Sequence, residues 1–298
     1  VERSERVVAV AGIVQRLAVL LGAGVPPASA WSYLADDASP VPRAVASAPS
    51  VSDALLELSS AMPPIEARAW RGLAAAWSVA TGAGAPLAGS LRAYAQSLRA
   101  LAQAQRDAAT ALAGPVATAR MVMALPAVGL VFGLALGFDT IGVLTGTPIG
   151  WACLAIGLGL VFAGSRWNRS LVRAAQPTRS TPGLECELLA IAMAGGAPLA
   201  QALETVGTVL IRCGLDADLG RAHGILELSR RAGVPAAELL RSEADEARAD
   251  ARSEAQLAAA RLATRLMLPL GLCVLPAFMV LSVVALLVRV ISTTVLEF

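Results

Sequence analysis

The chain contains no lysine, one histidine (His223), two tyrosines and four cysteines, and only 15% of its 298 residues are charged. Each scarcity excludes something. Without lysine the phosphate-cradling pattern G-x-x-x-x-G-K-[ST] cannot occur, so the glycine-rich stretch "GLALGFDTIGVLTGTPIG" is no nucleotide loop. A lone histidine with no second histidine and no nearby cysteine pair does not make a metal site. Cys153, Cys186, Cys213 and Cys273 form no C-x-x-C pair, and two of them sit in apolar runs. They read as buried free thiols in a reducing compartment. No Ser/His/Asp set and no carboxylate cluster in a glycine-rich pocket is evident, so no catalytic, cofactor or metal residue is assigned. A net charge of +2 gives no basic field for nucleic acid. Every cation is an arginine; with so much alanine, this reads as compositional drift in a GC-rich genome. The opening "VERSERVVAV" mixes both charge signs around a short apolar stretch and does not read as a secretory signal.

Apolar residues are abundant. They make up 56% of the chain, and the mean hydropathy is +0.64. Soluble domains carry about a quarter charged residues, so the composition reads as a membrane protein. Three uncharged stretches are long enough to span a bilayer, which takes about 20 residues at 1.5 Å each. Eighteen residues lie between Arg120 and Asp139, 26 between Asp139 and Arg166, and 23 between Arg265 and Arg289. The first two read as a hairpin, and Pro115 as a bend ahead of it. Arg166, Arg169, Arg173 and Arg179 follow the second span; Arg252, Arg261 and Arg265 precede the third. By the positive-inside rule these flanks are cytoplasmic. The loop near Asp139 and the tail "ISTTVLEF" then lie outside, with Arg289 the one dissenting charge. Trp151 and Trp167, about 24 Å apart on a helix, suit the two interfaces of the second span. Arg166, Arg169 and Arg173 serve as topology determinants and lipid-headgroup partners, with an ATPase contact as the competing role. No Asp, Glu, Arg or His falls inside the three runs, which argues against an ion-coupled transporter.

Four domains follow: a first cytoplasmic helical bundle at 1–115, a transmembrane hairpin at 116–166, a second bundle at 167–264, and a C-terminal transmembrane helix with a short outer tail at 265–298. No period-2 alternation appears in the polar regions; apolar residues recur at helical spacing. Residues 239–266 read as one long helix with a charged face, either solvated or a docking face, leading into the third span. Trp31, Trp70 and Trp77 read as core of the first bundle.

One short pattern is written four times. "GAGVPPASAWSYL" (22–34), "GAGAPLAGSLRAY" (82–94), "AGGAPLAQALETV" (194–206) and "RAGVPAAELLRSE" (231–243) each end a helix on glycine and start another after proline. Gly24, Gly84, Gly196 and Gly233 supply the left-handed conformation that closes a helix. Pro26, Pro86, Pro198 and Pro235 are pre-set for the first turn of the next. Pro26 to Pro86 is 60 residues and Pro198 to Pro235 is 37; the extra residues fall in "ASPVPRAVASAPSVSDALLELSSAMPP", expected as a loop plus a short helix. From the later corners to the membrane prolines the spacing is nearly constant, Pro86 to Pro126 being 40 and Pro235 to Pro276 being 41. "LPA" recurs inside both spans. The chain reads as a tandem duplication of bundle and span, with one added span returning it inward.

These features resemble a known family. Bundle, hairpin, bundle and span, with the repeated corners and "PLGLCVLPAFMVL" carrying Pro269 and Pro276, are similar to the F-type inner-membrane platform proteins of type II secretion and type IV pilus systems. The Tad branch looks closest: "LAGPVATARMVMALP" (112–126) resembles the start of the first membrane helix in one Tad platform subunit, and "ATRLMLPLGLCVLPAFMV" (263–280) that of its partner. The shortened second bundle departs from the pattern. The resemblance implies an all-α, multi-pass membrane scaffold that is not an enzyme, placed in the cytoplasmic membrane with most of its chain in the cytoplasm. It implies a hexameric secretion or pilus assembly ATPase and pilin or pseudopilin transmembrane helices as partners, and assembly as a homo-oligomer or with a second platform subunit. The uncharged "GLALG" and "GLGLVFAG" suit close helix packing. The alternative is a small polytopic transporter or permease component. An enzyme acting on lipids, with Asp139 or His223 as its polar group, is the weakest reading, because the two fall on opposite sides of the membrane.

Overall fold

The computed structural model describes residues 2–35, 39–135, 148–174 and 181–280. Among these no strand occurs, and the chain is helical almost throughout. Expectations about Asp139 and its loop, Arg179, Arg289, the far end of the third span and the C-terminal tail lie outside the described residues. The backbones of Pro115, Pro126 and Arg173 are described and their side chains are not.

The helices are α1 (Glu2–Gly22), α2 (Pro27–Tyr33), α3 (Pro40–Ala46), α4 (Val51–Ser59), α5 (Pro64–Ala83), α6 (Leu87–Ala135), α7 (Pro148–Ala174), α8 (Leu184–Ala194), α9 (Leu199–Arg212), α10 (Gly220–Ala232) and α11 (Ala236–Arg265). Beyond them come α12 (Met267–Pro269), a π-helical turn (Leu270–Val274) and α13 (Leu275–Phe278). The proline-rich stretch after α2 holds two short helices, α3 and α4, where a loop and one helix were expected. Proline favours the first helical turn, where its missing N–H costs nothing, and Pro40 stands there in α3. The Ser39 hydroxyl accepts from Val41 N–H, and that of Ser50 from Asp53 N–H, so each short helix is capped.

Two compact units divide the chain. The first comprises Val1–Asp107 and Pro177–Glu254, the second Ala108–Gln176 and Ala255–Phe298. In the first unit the two polar segments share a single core. Helix α5 is its centre, packed by α1 and α4 from its own half and by α8 and α9 from the other. Trp31, Trp70 and Trp77 are buried there, with Trp31 and Trp77 ring centroids 5.9 Å apart and tilted by 50°. Alanine lets α5 approach so many neighbours, since Ala69, Ala74, Ala75, Ala76 and Ala80 leave only methyl groups at the surface. At Gly72 even a methyl is too much. A Cβ there would overlap the Tyr94 hydroxyl, which donates to the Ala69 carbonyl at 2.7 Å.

In the second unit α7 packs against α12, the π-turn and α13. A Cβ on Gly164, in "GLGLVFAG", would sit 3.1 Å from Cys273 Cβ, so glycine sets the closeness of that crossing. The π-turn lies between Pro269 and Pro276, two residues without the N–H that an α-helical ladder needs. Helix α6 continues through Pro115 and Pro126 without interruption. Three helical stretches are long and apolar enough to cross a membrane: Leu87–Gly129, Gly150–Val172 and Ala236–Phe278. Met121, Val131 and Phe132 on α6 are exposed, as are Trp151, Phe162 and Trp167 on α7 and Leu272 in the π-turn. Large apolar side chains left bare in this density mark a membrane or protein interaction surface.

Candidate functional site

The repeated corners form the most organised feature of the first unit. Gly24, Gly84, Gly196 and Gly233 all have left-handed φ, at +88°, +65°, +86° and +68°. At the first three corners the same pair of hydrogen bonds closes the preceding helix. Val25 N–H donates to Leu20 O at 3.0 Å and Gly24 N–H to Leu21 O at 3.1 Å. Ala85 to Ala80 (2.9 Å) with Gly84 to Thr81 (3.4 Å), and Ala197 to Ala192 (3.3 Å) with Gly196 to Met193 (3.0 Å), repeat it. This is the Schellman arrangement, which pairs carbonyls that the helix end would leave bare. The fourth corner differs. Gly233 N–H reaches Ser229 O at 2.9 Å, and the Ser229 hydroxyl donates to Val234 O at 2.7 Å. Each proline stands just ahead of its helix and offers its carbonyl to the first turn: Pro26 to Ala30 N–H, Pro86 to Ser90, Pro198 to Ala202 and Pro235 to Leu239.

A fifth corner of the same kind has no proline. Gly214 has φ +61°, with Leu215 N–H on Leu210 O at 2.9 Å and Gly214 N–H on Ile211 O at 3.0 Å. It lies outside the Gly-x-Pro pattern, and its mark in the sequence is a glycine after "TVLIRC".

The second and third corners meet. Gly195, one residue before Gly196, lies against Ala83, one residue before Gly84. A Cβ at 195 would overlap the Ala83 carbonyl oxygen and lie 2.8 Å from its carbon. The halves are also joined by Arg212 on α9, which is ion-paired with Asp53 on α4. A second close approach seats α8 on α11: a Cβ at Gly183 would lie 2.8 Å from Ala244 Cα. Beside it Glu187, buried on α8, accepts from Arg248 of α11 at 2.7 Å, and Arg248 also reaches Asp245 at 2.7 Å. This buried pair was not anticipated; its trace in the sequence is a carboxylate inside the apolar run "LECELLAIAMA".

Burial pushes the Cys186 thiol up to about 12, with Glu185 and Glu243 adding to it and Arg221 and Arg248 opposing. Burial likewise pushes Cys213 up to about 11, opposed by Arg212 and Arg71. Neither is a nucleophile near neutral pH. All four cysteines are free; Cys186, Cys213 and Cys273 are buried and Cys153 is half-buried. His223 is exposed, and its Nδ1 lies 2.9 Å from Leu219 O. Among the described residues no cluster of three or more metal-ligating side chains occurs. Arg166 and Arg169 are exposed near the end of α7.

Residues 13–135 match the family model described as type II secretion system (T2SS), protein F. That stretch therefore carries an F-type domain of the type II secretion family. The matched F-type stretch begins inside α1 and ends with α6, so it contains the first two corners and the first apolar run. The later corners, outside the matched stretch, repeat its joints. No curated protein and no solved structure matches the chain.

Proposed function

We propose that this F-type protein is a non-enzymatic platform of the cytoplasmic membrane in a Tad-like pilus or type II secretion machine. In this reading residues 1–115 and 167–264 lie in the cytoplasm and engage a hexameric assembly ATPase. The spans in 116–166 and 265–298 contact pilin transmembrane helices, lipids and other platform subunits. The observation that carries the reading is the match of residues 13–135 to the secretion F family, together with three helices apolar enough to cross a bilayer. The architecture supports a coupling role. Helices α6 and α11 each begin at a corner and run on towards an apolar segment. The corner-on-corner contact of Gly195 and Ala83 joins the halves from which those two helices start. Movement imposed on one half is therefore felt by the other. The exposed Arg166 and Arg169, with Arg173, hold the cytoplasmic end of α7 at anionic headgroups.

Co-purification tests the partner assignment. Full-length protein in native membranes, solubilised in mild detergent, is expected to retain the hexameric ATPase encoded with its own pilus or secretion genes. Loss of that ATPase under conditions that preserve the platform's own fold overturns the coupling role.

A further inference from the structure

The duplication has two inner corners and two outer ones, and they are treated differently. Setting Gly24 on Gly196 places Val19 opposite Ile191 and Ala23 opposite Gly195. Setting Gly84 on Gly233 places Val79 opposite Leu228, Ala83 opposite Ala232 and Ala85 opposite Val234. At the inner corners the apolar residues are covered: Ile191 is 3% exposed, Val79 0% and Ala85 7%. At the outer corners their counterparts are bare: Val19 is 55% exposed, Leu228 53% and Val234 42%. Large hydrophobic residues are otherwise rare on the surface of the first unit; among its described residues only Tyr33 and Ile211 join these three, and Tyr33 ends the helix that follows the first corner.

We propose that a second copy of this chain covers them. The α10–α11 corner of one molecule, with Leu228 and Val234, seats on the α1–α2 corner of the next, with Val19 and Tyr33. The contact repeats between molecules what the α5–α6 and α8–α9 corners do within one. It is head-to-tail, so each molecule keeps one free corner of each kind and assembly proceeds to a closed ring or a longer row. One substitution tempers it. Gly195 lets the Ala83 backbone into contact, whereas its counterpart Ala23 carries a methyl group and is exposed. The contact between copies therefore closes less tightly than the internal one. The inference rests on the duplication and the exposure of these residues, and it stands whether or not the chain engages an ATPase.

Cross-linking of the full-length chain in membranes tests it. With Val19→Cys and Leu228→Cys in one chain, copper-phenanthroline oxidation is expected to give disulfide-linked dimers and higher species. Mixing the two single variants gives dimers only, and each single variant alone gives none. No dimer from the double or the mixed variants overturns the proposal, as do equal dimers from one single variant or a link confined to one chain. In the cysteine-unaltered chain, Leu228→Arg is expected to raise the monomer fraction in detergent and Ala23→Gly to lower it. An unchanged distribution for both, with unfolding midpoints retained, also overturns it.

Discussion

Gly195 touches the backbone of Ala83 so closely that no side chain fits between them. Its φ is −78°, so the residue is glycine for space and not for conformation. Gly195→Ala is expected to cost about 1–3 kcal/mol, because a backbone carbonyl cannot yield as a side chain can. Gly12, inside α1 with open space around its Cβ direction, predicts the opposite sign. Gly12→Ala should stabilise by roughly 0.5–1 kcal/mol through helix propensity. Thermal unfolding of both variants in one detergent checks the pair; equal shifts would remove the packing explanation.

The Gly72–Tyr94 approach predicts a non-additive cycle. Gly72→Ala drives a methyl into the Tyr94 hydroxyl, and Tyr94→Phe leaves the buried Ala69 carbonyl without that donor. Each single variant should lose on the order of 1–3 kcal/mol. The double variant should lose less than the sum, since removing the hydroxyl takes away the worst of the overlap and leaves the ring carbon Cζ, 2.9 Å from the new methyl, to give way. Additive losses would show that the two residues act separately.

Glu187 and Arg248 predict an asymmetry between breaking and replacing a buried pair. Glu187→Ala leaves Arg248 short of its buried partner and should cost about 3–5 kcal/mol. Glu187→Leu with Arg248→Met fills the same space without charge and should recover most of that loss. Chemical denaturation midpoints measure both, and a double variant as unstable as the single one would contradict the assignment.

The raised thiols make stability fall at high pH. In the unfolded chain Cys186 and Cys213 ionise near 9.0, whereas in the folded chain burial keeps their protons to about 12 and about 11. Above pH 9 the unfolded state binds fewer protons than the folded one. Stability is then complete below pH 9 and declines as pH rises towards these folded values, by up to about 1.4 kcal/mol per pH unit for each thiol. Cys186→Ala with Cys213→Ala should flatten the alkaline limb of an unfolding-midpoint profile. An unchanged slope would show that the thiols ionise alike in both states.

The corners were legible because glycine and proline mark helix ends by backbone chemistry, and the marks survive without knowledge of the fold. Gly214 escaped because it has the glycine without the proline. One of the two short helices α3 and α4 was hidden for a related reason: Pro40 and its neighbours read as breakers, yet proline also starts helices, and the Ser39 and Ser50 caps decide which role applies. Periodicity located apolar faces on α5 and α8 but not that these faces meet, since a face records burial and not the identity of what buries it. Gly195 carries no signal of its own beside Gly196; its contact with Ala83 joins residues more than a hundred positions apart, which local pattern cannot supply. Glu187 shows in the apolar run "LECELLAIAMA", but its partner Arg248, 61 positions away, does not.

Deletion of the gene in its native host, with complementation, tests the central claim most directly. The platform reading predicts that surface pili or secreted substrate disappear while pilin or pseudopilin subunits are still made and accumulate in the membrane, and that the restored gene recovers assembly. Normal piliation and secretion in the deletion strain would contradict it.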